Sequence, residues 1–137
     1  MQNVFKVQKL VQSAKIPVRE FPTDAGMDFF CASNQIVEIK PNTRVLVRTG
    51  LRVEIPEGWA LILKDKSGIA VKQGLHIFAG TIDQSYRGEV QVLLYNSSEI
   101  EVWLNPGQKI CQGILIPVGL FEIVEEEIST DTQRGTG

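Results

Sequence analysis

No apolar pattern in this chain lasts long enough to build a helix. Hydrophobic residues fall into short alternating or near-continuous runs, at residues 4–10, 36–39, 44–47, 51–55, 59–63, 75–82, 89–95, 100–104, 110–118 and 120–124, with Gly, Pro and Asn between many of them. Turn signals recurring about every 8 to 12 residues between such runs predict an all-β sandwich or barrel. A helical period is never held over about 12 residues, and only a short turn after Ser67 is expected to be helical. At 137 residues one domain with one core is expected, without repeat or linker. The run at 128–137, ISTDTQRGTG, is polar and lacks an aromatic, which marks a flexible arm following a domain at 1–127.

With 43% hydrophobic and 22% charged residues and a net charge of −2, the chain is not of the disordered class and has no general attraction to nucleic acid or anionic membrane. A phosphate ligand therefore needs locally placed cations. Cys31 and Cys111 lie far apart in apolar runs, with neither metal-ligand spacing nor a disulfide framework. The N-terminal stretch has no uninterrupted apolar core, and no window approaches the ~18 apolar residues of a membrane span. A cytoplasmic protein with no nucleic-acid or membrane partner is expected.

Residues 74–92 read as two strands joined by a polar turn, a hairpin that can offer backbone groups to a flat ligand while Asp83 and Tyr86 stand beside it. An Asp in such a turn ordinarily hydrogen-bonds its own backbone, so local pattern leaves both readings open. Lys66, Ser67 and Gly68 supply a cation, a hydroxyl and an unobstructed N–H that suit phosphate oxygens, or else a helical turn capped by Asp65 or Ser67. Asp28 interrupts an apolar strand, where a carboxylate is costly unless paired or metal-linked; the alternative is a turn-edge Asp. Gln112 enters a strand from a tight turn, and Arg134 is a cation in the arm.

Five stretches in this order, AGMDFFCA at 25–32, KSGIA at 66–70, GTIDQSYRGE at 80–89, GQKICQ at 107–112 and RGTG at 134–137, closely resemble the motifs of the trimeric dUTP pyrophosphatase (dUTPase) family. The resemblance runs through nearly the whole chain. It implies a jelly-roll barrel of the β-clip kind and a homotrimer with active sites at subunit interfaces. The implied activity is Mg²⁺-dependent hydrolysis of dUTP to dUMP and pyrophosphate, which limits uracil in DNA and supplies dUMP for dTMP synthesis. By resemblance Asp83 is the general base for water attack at the α-phosphorus, a role suited to a side chain ordinarily ionised at neutral pH. Tyr86 would lie against the deoxyribose, and the backbone of Ile77 and of Thr81, Ile82 and Asp83 would read uracil. Lys66, Ser67, Gly68, Gln112 and Arg134 would meet the phosphates. The Mg²⁺ would be held mainly by those phosphates, with Asp28 and Gln112 reaching it through water only.

Two positions depart from that pattern. The family usually has Arg where Lys66 stands, so a forked donor is replaced by a point charge. Its fifth motif also continues with Gly-Phe-Gly and Ser or Thr, the Phe stacking on uracil, whereas this sequence stops at Gly137; a shortened chain and an incomplete lid are both open. Alternative functions are a dCTP deaminase-like enzyme of the same fold and a non-catalytic nucleotide-binding regulatory module.

Overall fold

The computed structural model describes residues 3–137. Among them the order is β1 (Lys6–Lys9), β2 (Met27–Phe30), β3 (Val37–Ile39), β4 (Arg44–Glu54), β5 (Trp59–Lys64), α1 (Ser67–Gln73), β6 (Leu75–Phe78), β7 (Thr81–Ile82), β8 (Glu89–Asn96), β9 (Val102–Leu104) and β10 (Lys109–Pro117). Two four-stranded antiparallel sheets, β1-β4-β8-β6 and β2-β10-β5-β7, are joined by a small β3-β9 pair. Distant strands such as β4 and β8, or β2 and β10, lie side by side, which is the crossover pattern of the expected jelly roll. No described helix is long and apolar enough to cross a membrane.

Strand β8 shows how the pattern becomes a core. Val90, Val92, Leu94 and Asn96 point inward on alternate positions, while Glu89, Gln91, Leu93 and Tyr95 face the other way. The inward set meets Phe29, Leu61 and Cys111 of the other sheet and Ile39, Val102 and Leu104 of the small pair in one apolar cluster. Buried Asn96 is tolerated because its amide is saturated: Nδ2 donates to Ile39 O (2.9 Å) and Ile100 O (2.8 Å), and Oδ1 accepts from Ser98 N (2.9 Å) and Ser98 Oγ (2.7 Å).

Three segments depart from the sequence expectation. Runs 44–47 and 51–55 are one continuous strand, because Thr49-Gly50 forms a bulge instead of a turn. Gly50 adopts φ +67°, its N–H donates to Glu89 Oε2 (3.3 Å), and a Cβ there would press on Val11 and Ala14. Run 75–82 divides between the two sheets: β6 pairs with β8, and β7 pairs with β5. The switch falls at Ala79, with φ +53°, and at Gly80, which lies so close to the Leu63 carbonyl that no side chain fits. Residues 120–124 form no strand. Both neighbours of β10 are already in place, so the segment leaving it has no position beside that strand, and Leu120, Phe121 and Ile123 stand exposed at 78%, 86% and 98%.

Candidate active site

Strand β7 is an edge strand, and it delivers Thr81, Ile82 and Asp83 to a cleft of about 240 Å³ that is also lined by Leu46, Tyr86, Glu89 and Gln91. The turn after β7 is braced on every side. Tyr86 N–H donates to Asp83 O (3.1 Å), Arg87 Nη1 donates to Gln84 O (2.7 Å), and Gln84 Oε1 accepts the Gly58 N–H (3.2 Å). Tyr86 lies back over Gly88, where a Cβ would strike its ring, and its hydroxyl donates to Glu89 O (2.8 Å). The ordinary reading of Asp83 as a side chain turned onto its own backbone is not what forms. Its carbonyl closes the turn, and among the described residues no hydrogen bond or ion pair engages its exposed carboxylate.

A second constellation gathers where β2, β10 and the start of α1 meet. Asp28 is 5% exposed, so the turn-edge alternative fails; its oxygens pair separately with Lys66 Nζ (2.8 Å) and Lys109 Nζ (3.2 Å). Burial pushes this carboxyl up, but hydrogen bonds and charge from the two lysines outweigh it and hold the group below its ordinary value. Gln112 stands opposite Asp28 across the sheet, and its Nε2 donates to Asp65 O (2.9 Å). Gly26 makes room for that amide, since a Cβ there would overlap it. Helix α1 is N-capped by Lys66 without a side-chain bond, so neither Asp65 nor Ser67 caps it, and Ser67 and Gly68 open its first turn.

The Asp65 carboxylate instead accepts the Ile77 N–H (2.7 Å) and lies 2.7 Å from His76 Nδ1. The Ile77 backbone was expected to read uracil; its N–H is taken up by Asp65, and its side chain joins the core. Sequence reasoning missed Asp65 and Lys109 as site residues. Lys109 stands in the polar turn ahead of the apolar run 110–118, where the sequence gives no sign of its partner. Nearby Cys111 is no nucleophile, because burial and then the charges of Asp28 and Asp65 push its thiol up to about 12.

Within one chain the two groups lie toward opposite ends of β5. Ile82 pairs with Leu61, so Asp83 continues toward Ala60, whereas Lys64 pairs with Gln112 at the other end and leads into Asp65 and α1. That offset alone is on the order of 10 Å at ~3.3 Å per residue. Arg134 joins neither group; its Nε donates to Gly137 O (2.8 Å) inside the exposed C-terminal segment.

The family model for dUTPase matches residues 12–137. The deoxyuridine 5'-triphosphate nucleotidohydrolase of Hydrogenobaculum sp. is 40% identical over 133 residues, 96% of this chain and 92% of its own. That of Nautilia profundicola is 40% identical over 134 residues, 96% and 93% of the two chains. The dUTPase of Staphylococcus bacteriophage 80alpha, solved with dUpNHpp, superposes with a TM-score of 0.92 at 26% identity, covering 99% of this chain and 96% of its own. A dUTPase from phage phi11 of S. aureus, described with a coordinated structural Mg(II) ion, gives 0.85 at 26% identity over 93% and 99% of the two chains. Likeness of sequence and of fold thus runs over nearly the full length of both partners, and the chain belongs to the dUTPase family.

Proposed function

We propose that the dUTP diphosphatase activity of this family is carried out here at sites shared between copies of the chain, with Asp83 taking the proton from the attacking water. One observation carries this reading: the braced turn holds an exposed Asp83 carboxylate that has no partner among the described residues, beside a cleft edged by backbone and by Tyr86. The water oxygen bonds to the α-phosphorus, the bond to the bridging oxygen breaks toward pyrophosphate, and the proton passes to Asp83. The free edge of β7 at Thr81–Ile82 and Asp83 reads uracil, and Tyr86 excludes a 2′-hydroxyl. With its N–H used by Asp65, Ile77 contributes its carbonyl. Ser67 and Gly68 bind phosphate, and Arg134 closes on it from the C-terminal arm as a lid. The relatives are nucleotidohydrolases by name, and nothing favours the deaminase or the non-catalytic reading.

The described residues include no cluster of three or more His, Cys, Asp or Glu able to hold a metal ion, and Asp28 is committed to two lysines. That donor set suits an ion carried on the triphosphate, with Asp28 and Gln112 reaching it through water only. Bound in this way, Mg²⁺ would neutralise charge on the leaving pyrophosphate. Two features support a homotrimer: the separation of the two groups along β5, and the apolar side chains exposed after β10. Two buried free thiols suit the cytoplasm.

The test is complementation. Asp83→Asn and Ser67→Ala chains are each expected to be inactive alone; after mixed refolding about a quarter of sites regain both groups if each site draws them from different chains. No recovery would place both groups of a site in one chain and overturn the shared-site reading.

A further inference from the structure

Strand β8 begins at Glu89, just past Tyr86, and this first residue is held by more than the sheet ladder. The Thr49-Gly50 bulge shifts the pairing, so that Arg48 stands opposite Gln91 while Leu51 stands opposite Val90 and Arg52 opposite Glu89. Across that irregularity the Glu89 carboxylate reaches back to β4. Arg48 Nε donates to its Oε1 (3.2 Å) and Oε2 (3.0 Å), Arg48 Nη2 donates to Oε1 (2.9 Å), and the Gly50 N–H donates to Oε2 (3.3 Å). The buried Thr49 hydroxyl fixes the next residue from the same bulge by donating to Val90 O. A forked guanidinium on a carboxylate sets direction as well as distance, and the Glu89 side chain is only 17% exposed. Strand ends ordinarily fray, but this one is clamped.

The clamped residue carries the acceptor for the Tyr86 hydroxyl, which donates to Glu89 O (2.8 Å), while Gly88 gives the ring room to lie back. With Tyr86 43% exposed, core packing does not fix its ring, and the height of the ring over the cleft depends on that carbonyl. We infer that Arg48 and Glu89, brought together by the Thr49-Gly50 bulge, are positioning residues for sugar discrimination: they fix the Glu89 carbonyl, and through it the Tyr86 ring, at the height that leaves no room for a 2′-hydroxyl. The inference rests on the proposed role of Tyr86 and extends it to a clamp on a different strand. Glu89 also lines the cleft, but a carboxylate that met the sugar itself would act independently of Tyr86, and that difference is measurable.

Steady-state kinetics of the full chain with dUTP and with UTP, arranged as a double-mutant cycle, test this. Tyr86→Phe loses the bond to Glu89 O and Glu89→Ala loses the clamp, so each is expected to lower the ratio of kcat/KM for dUTP over UTP by about fivefold or more. The double variant should fall no more than about twofold below either single one, because both changes act on one ring. Glu89→Gln, which keeps an acceptor for Arg48 and Gly50, should recover part of the ratio. Arg48→Ala, at a half-exposed guanidinium, should lower the ratio as well and takes the place of Glu89→Ala in the cycle if that chain fails to fold. Multiplying losses in the double variant would put the carboxylate on the nucleotide itself, and a wild-type ratio in Glu89→Ala, Arg48→Ala or Tyr86→Phe would confine the clamp to the fold; each result overturns the inference. A wild-type ratio in Tyr86→Ala would instead sink the role of Tyr86 on which it rests.

Discussion

Replacing Asp65 by Ala should damage the fold and the site together, because one carboxylate spans both. Its Oδ1 accepts the half-buried Ile77 N–H at 2.7 Å, and truncation leaves that donor without its charged acceptor, a cost of about 1–3 kcal/mol. The His76 contact adds little: its partners are 55% and 34% exposed, a setting in which ion pairs contribute at most about 1 kcal/mol. The sum is about 2 kcal/mol, or a fall in melting temperature of roughly 5–10 °C for a chain of this size. The Asp65 carbonyl also accepts from Gln112, and the residue leads directly into Lys66 and Ser67, so kcat/KM for dUTP should fall by about tenfold or more as the segment proposed to bind phosphate loses its position. Asp65→Asn keeps an acceptor for Ile77 and should lose less than about 1 kcal/mol. His76→Ala should behave almost as wild type. Calorimetric melting and steady-state kinetics on the three variants decide the matter. Equal loss in Asp65→Ala and His76→Ala would refute the Ile77 bond as the main contribution, and unchanged kinetics with lowered stability would confine Asp65 to bracing β6.

Asp83→Asn should lower kcat by ~10²- to 10⁴-fold with dUpNHpp affinity largely kept, since size is retained and only the base is lost; turnover near the wild-type rate would remove Asp83 from that role. Tyr86→Ala should erode the preference for dUTP over UTP, read as a ratio of kcat/KM values, and an unchanged ratio would place the ribose elsewhere. Acid should weaken the fold through Asp28. Its folded value lies below its unfolded one, so the stabilisation is complete above the ordinary carboxylate range and is lost as pH falls through the folded value. Denaturant midpoints of the wild type should therefore drop more steeply below about pH 4 than those of Asp28→Asn, and parallel curves would contradict the pairing with Lys66 and Lys109.

Much of this fold is legible in the sequence wherever a strand's environment is local. Alternation in β8 survives because its two faces are a core and an exterior, and period 2 records that directly. Thr49-Gly50 reads as a turn, since the sequence does not reveal that Glu89 on a neighbouring strand will hold the Gly50 N–H and carry the strand through a bulge. The division of run 75–82 hinges on the Leu63 carbonyl, far away in sequence, lying against Gly80. Residues 120–124 carry a strand's alternation, but a strand also needs a partner, and β10, from which they lead, is already paired on both sides. For the candidate site, the proposed roles of Asp83, Tyr86, Ser67 and Gln112 rest on motif resemblance. Asp65 was not legible, because its position before Ser67 suggests a cap, whereas its carboxylate turns to β6. Lys109 took its meaning only when β10 paired with β2 and brought it to Asp28.

The most direct test is substrate discrimination by the purified chain: pyrophosphate and ammonia release followed in parallel with dUTP, dCTP, UTP and dTTP in the presence of Mg²⁺. Pyrophosphate should appear from dUTP, with kcat/KM exceeding that for each other nucleotide by about 10²-fold or more, and no ammonia should appear from any of them. Ammonia from dCTP, or no pyrophosphate from dUTP, would contradict the assignment of this chain as a dUTP diphosphatase.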